Sequence, residues 1–206
     1  MLHSSKITNA TLTCMALIVL PLLWIRAPST YGQEPKAMSR TDDPGQRNSD
    51  IYWPKNLRPE TSDAFAHNQI FINAPCSTIW MHLIEAPDWP SWYSNSRNVR
   101  IVRGDPKRLG IGSRFLWTTF DTDIDSTIHE FIPNQRIGWY GKGKDVVAYH
   151  TWLLYGSAQG CLVVTEEAGK GPGAIEMRVQ HPNAMHDGHQ LWLESLKRLS
   201  ESKQVR

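Results

Sequence analysis

The sequence has no excess of either charge: 22 Lys and Arg stand against 20 Asp and Glu in 206 residues. A net charge of +2 supplies no basic footprint for a phosphate backbone, so nucleic acid is not expected as a partner. Cysteine is scarce, with three residues and none at zinc-cluster spacing. There is no phosphate-cradling Gly loop, no dinucleotide fingerprint and no Ser-His-Asp elbow, which sets aside the nucleotide-dependent and serine-hydrolase chemistries those motifs carry. No cofactor is expected. Long apolar runs are missing too, and the mean hydropathy of −0.42 belongs to a soluble protein. The one apolar run, residues 10–25, is short of the roughly 20 residues that span a bilayer, and Pro21 interrupts it.

That run still carries a signal. Lys6 precedes it and Arg26 closes it, the charge-then-apolar order of a secretory leader, with Thr30-Tyr31-Gly32 as a small-residue cleavage site. An uncleaved anchor with Trp24 at the interface is the other reading. We therefore expect residues 1–30 to be a signal peptide or membrane anchor. The folded part then lies outside the cytoplasm, with a tether through residues 10–25 in the second case; a cytoplasmic location is the alternative. Residues 31–62 turn to Pro, Ser, Asp, Gln, Asn and Arg and read as a flexible linker. Within it Ile51-Tyr52-Trp53-Pro54 is apolar enough to dock on the domain that follows.

That domain, residues 63–203, is organised around its last helix, expected over 182–200. Met185, Gly188, Trp192, Leu196 and Leu199 fall on one side at a helical period, and Asp187, Gln190, Glu194, Lys197 and Glu201 on the other. Gly188 interrupts the apolar stripe at a helix-interior position that Gly disfavours, which marks close approach of another backbone, room for a ligand, or a tolerated Gly. A strand over 67–73 comes first, with Ile70 and Ile72 on one side. Pro75 then opens a helix with Cys76, Ile79, Trp80 and Leu83 as its buried stripe. After an aromatic, proline-rich turn at 87–93, strands are expected at 99–103, 113–120, 124–131, 136–140, 146–155 and 161–167, punctuated by Gly, Asp, Pro and Asn. Short connections pair such strands as an antiparallel meander. The class is α+β.

These residues carry a resemblance. Ala74-Pro75 with Ile79-Trp80, then Trp89-Pro90-Ser91-Trp92, resembles the opening of the SRPBCC (START-like) superfamily; Gly112-Ser113-Arg114-Phe115 with Glu130-Phe131-Ile132-Pro133-Asn134 resembles its middle. Tyr149-His150-Thr151-Trp152 and Val163-Val164-Thr165-Glu166-Glu167 are similar to its polyketide cyclase/dehydrase and lipid transport group. The resemblance implies a helix-grip: a curved antiparallel sheet wrapped around the C-terminal helix and enclosing a hydrophobic cavity. It also implies that the first strand pairs with the last. Cys76, just past the first strand, and Cys161, at the start of the last, then come close enough for a disulfide in an oxidising compartment. The alternative is that both remain packing residues.

Strand alternation assigns the cavity wall. Phe115, Trp117 and Thr119 point inward opposite Arg114; Ser126 and Ile128 go inward with Ile124, sending His129 outward; Ile137 and Trp139 follow. In 146–155 the set Val147, Tyr149, Thr151 and Leu153 competes with His150 and Trp152, and we favour the Tyr149 set; in 161–167 the alternation leaves both sets open. With Trp92 from the turn and Met185, His189 and Trp192 from the last helix, the expected ligand-binding set is Trp92, Phe115, Trp117, Thr119, Ser126, Ile128, Trp139, Tyr149, Thr151, Met185, His189 and Trp192.

Titratable candidates are few. His186 and His189 with Asp187 and His181 could hold a metal, but no carboxylate or Cys completes the site, so rim histidines and no metal are expected. His150 is a general base only if its parity points inward. Glu166-Glu167 reads as an acid–base pair or as an exposed strand end. The expected function is binding, with transport as an extension, of a small hydrophobic molecule such as a lipid, isoprenoid or polyketide-like compound. Two alternatives stand beside it: a cyclase/dehydrase-type enzyme, and an envelope interaction protein whose cavity its own side chains fill. An inward cluster of two or more titratable groups would separate enzyme from binder, and the sequence offers only one inward polar residue per strand, which favours the binder.

Overall fold

The computed structural model describes residues 44–202. The leader or anchor expected over 1–30, and the part of the linker before residue 44, lie outside the described residues. No helix among the described residues is long and apolar enough to cross a membrane.

Strand β1 (Ala64–Ile72) leads into helix α1 (Cys76–Ile84) and a 3-10 turn at Ala86–Ser91. Six strands follow: β2 (Arg97–Arg103), β3 (Arg114–Thr119), β4 (Thr122–Ile132), β5 (Arg136–Gly143), β6 (Val146–Ser157) and β7 (Gly160–Lys170). The chain ends on α2 (Pro172–Gln180) and α3 (Ala184–Ser202). The seven strands form one curved antiparallel sheet in the order β1-β7-β6-β5-β4-β3-β2. Strands two to seven are a meander, and the first closes on the last from Ala64 opposite Gly169 to Ile72 opposite Cys161.

Local chemistry fixes the corners. Phe120 and Asp121, both at positive φ (47° and 55°), make the two-residue turn between β3 and β4, whose hand suits the twist of the strands. Pro87 and Pro90 keep the 3-10 turn from growing into an α-helix, and the buried Trp89 donates its indole N–H to the Leu83 carbonyl at 3.2 Å. Gly171 sits at φ 111° between β7 and α2, where a Cβ would meet the Asp145 carbonyl oxygen at 2.5 Å. Sequence patterning places no element at α2. The residues that open it, Pro172-Gly173 after Gly171, read as a turn, and Ile175 and Val179 lie exposed on it, so it carries little apolar stripe.

The core lies between the inner face of the sheet and α1, the 3-10 turn and α3. Trp89 is its hub, with its ring 5.0 Å from Trp192, 5.4 Å from Trp117 and 5.7 Å from Phe115. On α3 the buried set is Gly188, His189, Trp192, Leu193, Ser195, Leu196 and Ser200. At Gly188 the close neighbour is a ring rather than a backbone: an added Cβ would meet Phe120 Cζ at 2.4 Å. Cys76 and Cys161 are joined by a disulfide with Cα atoms 5.2 Å apart and a sequence separation of 85. A loop of that length is worth about 4–5 kcal/mol in the chain-entropy model.

The outer face is covered as well. From Asn48 the segment expected as linker lies along the sheet: Ile51 and Leu57 are buried, and Ile51 packs with Leu153 and Val164. Trp53 sets its ring edge-on to Phe65 and Tyr149, each at 6.0 Å. Glu166, fully buried on this face, accepts from the Asn48 amide at 2.6 Å and meets His67 Nδ1 at 2.6 Å. Tyr52 stays exposed under the guanidinium of Arg136.

Candidate functional site

Between the inner face of the sheet and helices α2 and α3 lies a cavity of about 100 Å³. Its walls are aromatic and aliphatic: Trp117, Trp139 and Trp192, with Ile124, Met177 and Met185. A wider, polar vestibule adjoins it. The turn between β3 and β4, the Lys144-Asp145 turn and α2 surround that vestibule, and Phe120, Lys144 and Met177 border both spaces.

One wall is not apolar. His150 on β6, Glu167 on β7 and His189 on α3 converge there. Cross-strand pairing sets His150 directly opposite Glu167, and one helical turn before Trp192 brings His189 to the same point. His189 Nε2 lies 3.0 Å and His150 Nδ1 3.3 Å from the same oxygen, Glu167 Oε2. Both imidazoles are buried, while the Glu167 side chain keeps 19% of its surface. Behind His150, its Nε2 lies 2.7 Å from the Thr165 hydroxyl, which is itself 3.2 Å from the Thr151 carbonyl. His189 Nδ1 is buried and has no hydrogen-bond partner among the described residues.

Burial sets the charges. It pulls the His150 pKa down to about 3, against the opposing pull of Glu167, so this imidazole is neutral at pH 7. Burial also pushes Glu167 upward. His150 and the hydrogen bond from His189 outweigh it and leave the carboxyl below its ordinary range, hence ionised. Tyr93, at the cavity edge, is raised chiefly by burial and stays a phenol; it accepts from Asn95 at 3.1 Å and donates to the Gly188 carbonyl at 3.3 Å.

Of the residues expected to line the cavity, Trp117, Thr119, Trp139, Met185, His189 and Trp192 do so. Phe115, Ser126 and Ile128 are buried on the same face but behind the wall, where Ser126 accepts from the Trp117 indole at 3.0 Å. Trp92 lies at a separate surface recess with His82 and Glu85. Tyr149 and Thr151 must be corrected, because they face away from the cavity. Tyr149 packs against Trp53 on the outer face, and it is Ala148 and His150 that line the cavity. An apolar-inward rule fails on β6 because the segment carrying Ile51 and Trp53 gives the Tyr149 set a buried place of its own.

Glu166-Glu167 is neither an acid–base pair nor an exposed end. The two carboxylates point to opposite faces, each against histidine. His186 and His189 do not act together either: His186 meets Asn68, and the partners of His189 come from the sheet. Sequence reasoning weighed His150 and Glu167 separately but did not join them. The signal that joins them is the β6–β7 register, which turns both positions inward once one is known to be so.

No protein-family profile matches the chain, and neither does any curated protein. Solved structures do. The hypothetical protein jhp0584 from Helicobacter pylori is 29% identical, with a TM-score of 0.68 over 75% of this chain and 98% of its own. TTHA0849 from Thermus thermophilus is 14% identical with a TM-score of 0.57, over 68% of this chain and 98% of its own. The di-domain ARO/CYC StfQ from the steffimycin biosynthetic pathway is 14% identical with a TM-score of 0.57, over 69% of this chain and 52% of its own. At these identities the second and third likenesses speak to the fold alone: a curved antiparallel sheet closed by a C-terminal helix, consistent with a helix-grip and an SRPBCC-like fold.

Proposed function

We propose that the domain binds a small molecule with an apolar body and one polar end, the body against Trp117, Trp139 and Trp192 and the polar end on His150, Glu167 and His189. The observation that carries this reading is the convergence of three titratable groups on one wall of an otherwise apolar cavity. Size narrows the ligand. A cavity of roughly 150 Å³ takes a benzene ring, so about 100 Å³ holds a short branched chain, or a ring only where it reaches toward the vestibule, and not a whole lipid. A larger polyketide-like or isoprenoid ligand needs the vestibule, with only its end in the cavity.

The cluster also favours a second reading, an enzyme of the cyclase/dehydrase type. An ionised carboxylate hydrogen-bonded by imidazole can take a proton from a bound carbon or oxygen acid and pass it to a neighbouring histidine. Resemblance to the SRPBCC superfamily and the description of StfQ as an ARO/CYC protein point the same way, by likeness of fold.

Thermal shift of the full chain with toluene and with phenol tests the binding reading. Phenol should raise Tm by more than toluene does, and Glu167→Gln should erase the difference. Equal shifts, or a difference that survives in Glu167→Gln, would reject the polar end. The enzymatic reading is tested by α-proton exchange of cyclohexanone in D2O, followed by NMR. Acceleration over buffer that Glu167→Gln abolishes supports proton abstraction; a rate equal to buffer rejects it for ring-sized ketones.

A further inference from the structure

His150, Glu167 and His189 bring three ligand atoms, two imidazole nitrogens and a carboxylate oxygen, within 4.8 Å of one another on the cavity wall. Hydrogen bonding alone accounts for this cluster only in one arrangement of protons. His189 Nε2 is hydrogen-bonded to Glu167 Oε2, and for His150 Nδ1, 3.3 Å from the same oxygen, to donate there as well it must carry hydrogen. For neutral His150 that leaves Nε2 bare, and the Thr165 hydroxyl must turn its single proton toward it, giving up the Thr151 carbonyl. In the other arrangement Thr165 donates to Thr151 and accepts from His150 Nε2–H. Every group behind His150 is then satisfied, and its bare Nδ1 lone pair faces a carboxylate oxygen at 3.3 Å. Two electron-rich atoms at that separation call for a cation between them.

We infer that His150 Nδ1, His189 Nε2 and the Glu167 carboxylate form a site for one divalent transition-metal ion of the zinc class. Bonds to such an ion run about 2.0–2.2 Å for nitrogen and oxygen ligands, which puts adjacent ligand atoms about 3 Å apart. The separations of Glu167 Oε2 from His189 Nε2 and His150 Nδ1, 3.0 and 3.3 Å, are of that size; the two nitrogens lie within 4.8 Å of each other and must stand within about 4.2 Å for one ion to hold both. Two histidines and one carboxylate leave at least one coordination position open, the pattern of catalytic rather than structural sites. Here that position faces the cavity, which all three residues line. The chain His150 Nε2–H to Thr165 Oγ1–H to the Thr151 carbonyl is the outer hydrogen-bonding that fixes a ligating imidazole's tautomer. Sequence reasoning looked for a metal along α3, at His186 and His189, and found no carboxylate; β7 supplies it. The ion would present its open position to the polar end of the ligand proposed above, but the site does not depend on that ligand.

Cobalt(II) titration of the full chain, stripped with chelator and free of organic additives, tests the inference. One equivalent should bind with the intense visible bands of four- or five-coordinate cobalt, and zinc should displace it. Glu167→Gln and His189→Ala should each weaken binding beyond the roughly 10–100-fold typical of losing an outer-shell partner, while His181→Ala should leave it unchanged. Weak octahedral bands, or stoichiometric binding that persists in the Glu167→Gln/His189→Ala double variant, would overturn the site. If those variants unfold, 15N NMR of the unmodified protein decides: zinc must move the His150 proton to Nε2 and shift His189, and unchanged ring nitrogens reject the site. Failure here leaves the phenol–toluene comparison untouched, and failure of that comparison leaves the cobalt titration untouched.

Discussion

Where β6 and β7 run, the two faces of the sheet are both buried, but by different means. The inner face is closed by α3 and a set of interlocking indoles, and it holds a carboxylate between two histidines beside a cavity. The outer face is covered there by a segment without regular strand or helix, from Asn48 to Arg58, and holds a carboxylate packed against one histidine. Glu166 and Glu167 are adjacent in sequence and chemically identical, yet one is packed away and the other borders space a ligand can enter. A glutamate–histidine contact is therefore not a site in itself. Proximity to a cavity and convergence of a third group distinguish Glu167.

The sharpest way to break the comparison is to remove the centre of the inner face. Trp192 meets the rings of Trp89, Tyr93, Trp117 and Trp152 within 6 Å, so Trp192→Ala should cost about 3–5 kcal/mol in urea unfolding. On the outer face Ile51→Ala should cost about 2 kcal/mol, at the low end for its kind because the covering segment has freedom to settle. It should leave phenol binding intact. If Ile51→Ala proves neutral, residues 48–59 are no part of the folded unit and the domain begins near residue 63; a loss of the expected size moves that boundary back toward residue 48.

The same contrast explains what could be read from the sequence. Arg114 and Asp125 pair in solvent on one side of β3 and β4, so alternation there has a polar and an apolar phase, and Phe115, Trp117, Thr119, Ser126 and Ile128 were assignable to the inner face. From Ala148 to Leu154 every residue of β6 is buried, and on β7 burial runs unbroken over Val163 to Glu166. Such strands have no polar phase to read. The favoured face of β6 was wrong, that of β7 undecided, and the two residues that complete the cluster sit on those strands. The α+β class and the terminal helix were legible because α3 has one strongly apolar side. Helix α2 was not, because it borders the vestibule and has little to bury.

Acid should separate the faces next. His150 is neutral when folded, with its pKa drawn to about 3, and takes up a proton near 6.5 when unfolded. The unfolded chain thus binds more protons below about pH 6.5, and stability must fall as pH drops toward 3. Between pH 7 and 5 this one group costs about 2 kcal/mol, nearly independent of whether the folded value is 3 or 4. The Glu167 carboxyl, held below its ordinary range, adds a loss only at lower pH, as it is protonated through its folded pKa. In chelator, His150→Gln should flatten the slope between pH 7 and 5. A slope unchanged by that substitution would mean that the inner histidine is already charged in the folded protein.

The smallest expected change in stability bears on how the cavity opens. Gly188 leaves room on α3 for the ring of Phe120, which stands at the tip of the β3–β4 turn and borders both cavity and vestibule. Replacing Gly188 by Ala favours the helix by up to about 1 kcal/mol. The new methyl, however, would lie 2.4 Å from Phe120 Cζ, far inside contact distance. The atom it meets is the far end of a partly exposed side chain, so the ring can swing aside rather than the backbone yield. Gain and loss then nearly cancel, and the unfolding free energy of Gly188→Ala should stay within about 1 kcal/mol of the parent. Access should not stay the same. With Phe120 displaced the mouth widens, and phenol should associate and dissociate faster in stopped-flow measurements with less change in affinity. Slower exchange, or a loss of several kcal/mol, would show that Phe120 is locked in place and that the route into the cavity runs past α2 instead.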